Sequence, residues 1–249
     1  MDATGFPAVL VANLPYLLLG AFPHGPLGGV ALTLVLAISS ALLSAALGLA
    51  GGVALAMARG PLHIALLAVI GFFRAIPVLM LIFWTFFLLP IFLHINVPGL
   101  ASVVCALSLI GGAYLSHSVH AGVVAVGNPQ RQAALALGLT RTQALRYVVL
   151  PQAIRIMTPS FVNQWVTLVK DTSLAYIVGV PELSFLANQV NSRLMVYPVQ
   201  IFLVVAAIYV VLCTSLDWLA TRLLTHHLRA EKRQQQLARD ASVTMADPA

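Results

Sequence analysis

Residues 128–151 read NPQRQAALALGLTRTQALRYVVLP, a polar interruption between apolar runs. Asn128 is a good N-cap, and Pro129 takes the first helical position, where its missing N–H costs nothing. The spacing predicts an alanine-rich first helix over 129–137. Gly138 ends it in the left-handed conformation that glycine adopts cheaply. Thr140 and Gln143 form a capping box for a second helix, which is expected to run until Pro151. Ala133, Ala134 and Ala136 leave the first helix little bulk, so another protein's groove can close tightly over it. Arg131, Arg141 and Arg146 keep the module wet. The stretch reads as a docking knob.

What surrounds it is apolar. The chain has 249 residues, 60% hydrophobic and 8% charged, with a mean hydropathy of +0.97. A soluble domain is about a quarter charged, so the solvent for most of this chain is lipid. The formal charge is +6, but basic residues lie beside apolar runs and not in a patch interleaved with aromatics, which argues against nucleic acid. Cys105 and Cys213 sit inside apolar runs without metal-ligand spacing and read as small hydrophobes.

The fold class is therefore an all-α integral membrane protein with about five transmembrane helices. Residues 1–29 form an N-terminal extracytoplasmic or interfacial segment. They hold no lysine or arginine and no small-residue cleavage site, so they do not read as a signal peptide. The run 6–19 is too short to span, is broken by Pro7 and Pro15, and is expected at the outer interface. A turn follows at 22–26. The membrane-spanning body covers 30–224, with spans over about 30–57, 62–89, 99–117, 155 or 158 to 180, and 198–219. In the first span Ser40, Ser44, Gly48 and Gly52 recur every four residues, a seam that admits another helix closely. The second contains Arg74, with Pro77 as a kink three residues on; an arginine at that depth snorkels or braces the bend, or serves the gate or solute path. Residues 90–98 read as an outer loop. The fourth span carries Asn163, Gln164, Thr167, Lys170, Asp171, Thr172 and Ser173. Lys170 lies about 18 Å along a helix from Thr158. Lipid tolerates none of these groups, so they pin helices together or line an aqueous path. Residues 181–197 form a polar outer segment with a short helix, and 225–249 a frayed cytoplasmic tail.

The ordered motifs Gln130-Arg131-Gln132-Ala133-Ala134-Leu135-Ala136-Leu137-Gly138, then Leu150-Pro151-Gln152-Ala153, then Lys170-Asp171-Thr172-Ser173-Leu174 resemble permease subunits of bacterial ABC importers for polar amino acids. The resemblance continues through Ile177-Val178-Gly179-Val180-Pro181-Glu182-Leu183 and, upstream, Phe73-Arg74-Ala75-Ile76-Pro77. It covers about 14–224, and residues 73–90 look most like the glutamate/aspartate branch. It implies the type I importer permease fold and makes the first helix of the 128–151 loop a coupling helix, with Gln132, Ala133, Ala134, Ala136, Leu137 and Gly138 facing a cytoplasmic ATPase. Polar residues of the fourth span would border the solute path. The implied partners are that ATPase, a second permease subunit (a paralogue, with a homodimer as the alternative) and a periplasmic binding protein. Two departures stand out. Gln132 replaces the family's usual glutamate, and His117 and His120 replace a glutamate and an arginine.

Orientation follows from charge alone. With the N-terminus outside, the inner segments hold Arg59, Arg131, Arg141, Arg146, Arg155, Arg222, Arg229, Lys232, Arg233 and Arg239, and the outer ones only Arg193. The positive-inside rule favours that topology, with the knob and the C-terminus cytoplasmic in an inner membrane. No GxxxxGK[ST] phosphate loop is present, so the chain is not an ATPase; it needs no cofactor of its own, and ATP-Mg belongs to a partner. The first reading is the membrane subunit of an ATP-driven amino acid importer. The alternative is a stand-alone ion-coupled carrier using Lys170, Asp171 and Arg74, which would have no need of the knob. An intramembrane enzyme on His117, His120 and Asp171 has no metal motif or nucleophile constellation behind it.

Overall fold

The structure, a computed structural model, describes residues 5–94 and 96–246. The ends of the N-terminal segment and of the tail, and residue 95 of the outer loop, lie outside the described residues. Among the described residues ten α-helices follow one another: α1 (Phe6–Leu19), α2 (Gly29–Met57), α3 (Pro61–Ala75), α4 (Val78–Phe83), α5 (Leu89–Leu93), α6 (Gly99–Ala136), α7 (Arg141–Gln143), α8 (Leu150–Asp171), α9 (Leu183–Leu194) and α10 (Pro198–Ala246). Wide π turns at Trp84–Leu88 and Ala144–Val149 join α4 to α5 and α7 to α8, and a 3-10 turn at Thr172–Val178 follows α8. Among the described residues no strand forms; Gly20 and Leu27 make an isolated bridge that closes the 22–26 turn.

The predicted seam is the centre of the bundle. Ser40, Ser44, Gly48 and Gly52 are all buried, and they pack on α6. A Cβ on Gly48 would lie 2.4 Å from the Leu115 Cβ, and one on Gly52 2.3 Å from the Val119 Cβ. Gly111 reciprocates, its Cβ position falling 2.9 Å from the Ser44 Cβ. Four-residue spacing aligns the small side chains on one face, so the large residues of α6 fill the gaps. The seam is internal packing of one subunit. Above it, Leu32, Leu36, Leu81, Ile82, Val103 and Leu107 form the main apolar core.

Among the described residues three helices are long and apolar enough to cross a membrane: α2, α6 and residues 198–222 of α10. A fourth crossing arises if α3 and the segment Val78–Phe92 count as one, although they meet at 100°. Pro77 was expected to kink a span; it breaks one. Ile76, held extended by the following proline, and Pro77 itself leave the helical region together (ψ 133° and 135°). The remaining expected span, α8, has the length, at 22 residues, but its polar side chains set it apart from the other three.

Prolines otherwise stop less than expected. Residues 6–19 are a continuous helix with Pro7 in its first turn and Pro15 inside. Pro90 lies within α5, so the outer loop shrinks to 94–98, and Pro151 lies at the start of α8. Each of these last two follows a π turn, in which Leu89 N–H donates to Trp84 O and Leu150 N–H to Leu145 O. A five-residue ladder shifts the carbonyl that a proline ring would strike, so the helix carries on past a residue with no N–H. Thr85 caps the first of these turns: its hydroxyl lies 3.0 Å from both Leu81 O and Ile82 O and 3.1 Å from Ser102 O. The tail also departs from expectation, because α10 remains helical through Ala246. Its Ala, Leu, Gln, Lys and Arg content favours helix where the lack of apolar residues suggested fraying.

Candidate functional site

The elbow's two turns form where read, but its start shifts by one residue and its second helix continues through a π turn into α8 without stopping at Pro151. The chain leaves helical geometry at Gly127 (φ 81°, ψ 167°), not at Asn128, whose Oδ1 accepts from Arg131 Nη2 at 2.8 Å. Gly138 turns the chain with φ +84°. Thr140 and Gln143 complete the capping box, Thr140 N–H on Gln143 Oε1 at 2.9 Å and Gln143 N–H on Thr140 Oγ1 at 3.3 Å. Gln132, Ala133, Ala136, Leu137 and Gly138 are exposed, and Leu137 stands furthest out, 83% exposed. Ala134 is the correction. It is only 3% exposed, and its carbonyl accepts from Leu139 N–H at 3.2 Å. It faces into the elbow, so it supports the docking face from behind.

The polar residues of the fourth span divide by face. Gln152, Arg155, Pro159, Asn163 and Lys170 are exposed, at steps of three, four or seven that place them on one side of α8. The Thr167 hydroxyl, donating to Asn163 O at 2.9 Å, lies on the same exposed side. Opposite them Ala153, Met157, Phe161 and Leu168 are buried, Met157 and Phe161 against Leu115 and Val119 of α6. Gln164, Asp171 and Ser173 are half-buried. Thr172 is fully buried and donates to Val169 O at 2.7 Å, so it packs the bundle and does not border an open path. Lys170, expected either to brace helices or to line a path, is exposed. The stripe is a hydrophilic face that this chain alone leaves uncovered.

Arg74 ends α3 exposed, its guanidinium 5.1 Å from the Tyr114 ring centroid, while Tyr114 Oη donates to Arg74 O at 3.4 Å. Both contacts tie the end of α3 to α6 beside the break. His117 is exposed; His120 turns elsewhere, its ring 5.9 Å from that of His63.

Sequence reasoning missed Glu182. It is 0% exposed and caps α9, accepting from Ser184 N–H at 2.9 Å and Phe185 N–H at 2.8 Å. Tyr209 Oη of α10 donates to it at 2.9 Å. Burial pushes its carboxyl up to about 7, against the pull of those donors. Beside it Gly29 N–H donates to Pro181 O at 2.9 Å and Leu183 N–H to Thr33 Oγ1 at 3.2 Å. The carboxylate thus joins the start of α9 to α10, and the main chain on either side of it joins α9 to the start of α2. Its position right before an apolar helix start was the local signal; Tyr209, 27 residues away, was not legible.

Three comparisons agree with this architecture. Residues 44–226 match the family model described as binding-protein-dependent transport system inner membrane component. The chain is 37% identical over 198 residues to the probable glutamine ABC transporter permease protein GlnP of Bacillus subtilis (strain 168), covering 78% of this chain and 90% of that one. It is 32% identical over 196 residues to the glutamate/aspartate import permease protein GltK of Escherichia coli O6:H1, covering 74% and 81%. Among solved structures, an amino acid ABC transporter crystallised with histidines superposes with a TM-score of 0.70 at 25% identity, over 78% of this chain and 90% of that chain. The inward-facing MetNI methionine ABC transporter gives a TM-score of 0.71 at 21% identity, over 91% and 99%, and supports the fold alone. These relatives set aside the stand-alone carrier. The chain belongs to the binding-protein-dependent transport system inner membrane components, the non-catalytic permease subunits of ABC importers.

Proposed function

We propose that the chain moves polar amino acids inward across the inner membrane, driven by ATP hydrolysis on a separate subunit that grips the 128–151 elbow. The observation that carries this reading is the elbow's outward face: Leu137 projecting beside Gln132, Ala133 and Gly138 while Ala134 backs them from inside. A rigid, small-surfaced protrusion on two capped helices suits a groove of a partner protein. The N-terminus lies outside and the C-terminus inside, as the arginine distribution favours. Closure of the ATPase around nucleotide draws the elbows together and tips the helices between inward-open and outward-open packings, shifting a two-state equilibrium.

The uncovered stripe of α8 completes the reading. Asn163 and Lys170 cannot face lipid without a cost of a few kcal/mol, so a second permease subunit, a paralogue by our reading, closes over that face and the solute passes between. A periplasmic binding protein delivers the solute. Glutamine, glutamate and aspartate are the first candidates, because the named relatives carry those substrates in their descriptions.

The test is reconstitution with the ATPase and binding protein in vesicles, followed by uptake of labelled glutamine, glutamate and aspartate. ATP-dependent uptake should fall about tenfold or more in Leu137→Asp while the permease still inserts. Uptake that proceeds without any ATPase, or that ignores Leu137→Asp, would sink the proposal.

A further inference from the structure

A cavity of about 590 Å³ opens where the ends of α2 and α6, the start of α3 and the elbow meet. Its volume is within the range of about 300–1,000 Å³ typical of ligand sites. Arg59, Arg131 and Arg141 line it together with His63 and His120, and among the described residues no aspartate or glutamate does. These side chains come from well-separated stretches of sequence, so their convergence is a product of the fold. His63 is held in place by Nδ1 donating to Leu55 O at 3.2 Å, and Arg131 by its bond to Asn128. The rest of the wall is greasy and partly open: Met57 is 50% exposed and Val124 64%. Leu62 and Ile64, either side of His63, are 60% and 68% exposed.

We propose that this cavity binds the phosphate of an acidic phospholipid of the cytoplasmic leaflet, with the acyl chains lying along the exposed apolar residues of α2, α3 and α6. The inference rests on the orientation given above. Three guanidiniums without a carboxylate call for an anion, and arginine suits phosphate oxygens in particular. A soluble phosphate would satisfy that charge but would leave the apolar side of the mouth unused. A lipid satisfies both, and basic pockets between helices on the cytoplasmic side are where acidic headgroups bind. Because Arg131 and Arg141 belong to the elbow, the bound headgroup touches the segment through which ATP hydrolysis acts, and the charge of the inner leaflet becomes an input to coupling.

The test uses the assembled importer, extracted from vesicles of phosphatidylethanolamine with phosphatidylglycerol, and reads the lipids retained by native mass spectrometry. Wild type should retain phosphatidylglycerol in preference to phosphatidylethanolamine. Each of Arg59→Gln, Arg131→Gln and Arg141→Gln should weaken that preference about fivefold, and Arg193→Gln, outside the cavity, should leave it unchanged. The single variants are read separately, so failure of a triple variant to assemble does not remove the result. Displacement of the lipid by inorganic phosphate at modest excess would make the site one for soluble phosphate and overturn the proposal. A preference seen only when the ATPase is stripped away would assign the cavity to an acidic surface of that subunit, and would also overturn it. Equal retention of both lipids, or no change in any arginine variant, would do the same. The readout does not involve uptake, so it stands apart from whether amino acids are the cargo.

Discussion

The glycines of the α2–α6 seam and the glycine of the elbow do opposite work. Gly48 and Gly52 have ordinary helical backbones and no room; an added Cβ would sit 2.4 Å and 2.3 Å from the nearest side-chain carbon. Gly138 has an unusual backbone, φ +84°, and nothing within 4 Å of where a Cβ would go. In the first region glycine is absent bulk that fuses two helices into one body. In the second it is a joint, chosen for its backbone, with free space kept for something else. The dry seam therefore resists substitution by size and the elbow by conformation. Experiments that vary the two separately will show whether stability and coupling are divided between them.

The largest effect is expected at Gly52. Replacement by Leu would drive a side chain into Val119 and the Ser116 carbonyl, which lies 2.8 Å from the Cβ position, and backbone cannot step aside as a flexible side chain can. Overpacking costs 1–3 kcal/mol in ordinary cases and more where the neighbour is backbone, so little folded protein should be recovered from membranes. Recovery at wild-type yield and melting temperature would break the seam half of the comparison. Next comes the junction that anchors the seam's outer end. Glu182 has its folded pKa raised to about 7 from an ordinary 4.5, so between those values the folded state holds more protons than the unfolded one. Stability from this group is full below about 4.5, declines as pH rises toward 7, and is level above. The whole excursion is about 3 kcal/mol. Melting in detergent should fall over that window in wild type, and Glu182→Gln should flatten the fall; equal slopes would show that Glu182 does not titrate there.

What could be read from the sequence was local or periodic. The seam was legible because a four-residue repeat of small residues has one geometric meaning on a helix, and the capping box because Thr140 and Gln143 satisfy each other's backbone without outside help. The misreadings have equally physical causes. Alanine carries no sign of which way it faces, so Ala134 was placed on the outer surface with Ala133 and Ala136. Pro90 and Pro151 were read as stops because the rule for prolines assumes a four-residue ladder, and the π turns before them lift that assumption. The 100° break at Pro77 reads as a kink in the sequence because the rule for prolines marks the place of a bend and not its size; here Ile76 and Pro77 both leave the helical region. Glu182 and the arginine-lined cavity are assembled by long-range contacts. Of the fourth-span residues, the exposed stripe is legible as polar, but only packing separates buried Thr172 from exposed Lys170.

Within the elbow the comparison can be sharpened on a single helix. Ala134→Leu should destabilise by about 2 kcal/mol, the usual cost of overfilling a closed site, and lower the melting temperature of the assembled permease. Ala133→Leu, one residue earlier and exposed, should leave melting unchanged while reducing ATP-coupled uptake. If the two variants behave alike, inward and outward faces are not distinct and the docking surface has been drawn wrongly.

The smallest effect, and the most telling one for the joint, belongs to Gly138. An alanine there meets no neighbour, so any loss comes from backbone alone: a left-handed residue with a Cβ costs about 1–2 kcal/mol relative to glycine. Asparagine tolerates that region better than alanine. Gly138→Ala should thus lower the melting temperature slightly and uptake a fewfold, and Gly138→Asn should recover part of both. That ordering separates conformation from size, because asparagine is the larger side chain and would do worse if space were limiting. Should Gly138→Asn prove more damaging than Gly138→Ala in the full complex, but not in the permease without its ATPase, the space around Gly138 is occupied by the partner, and the joint is also part of the grip.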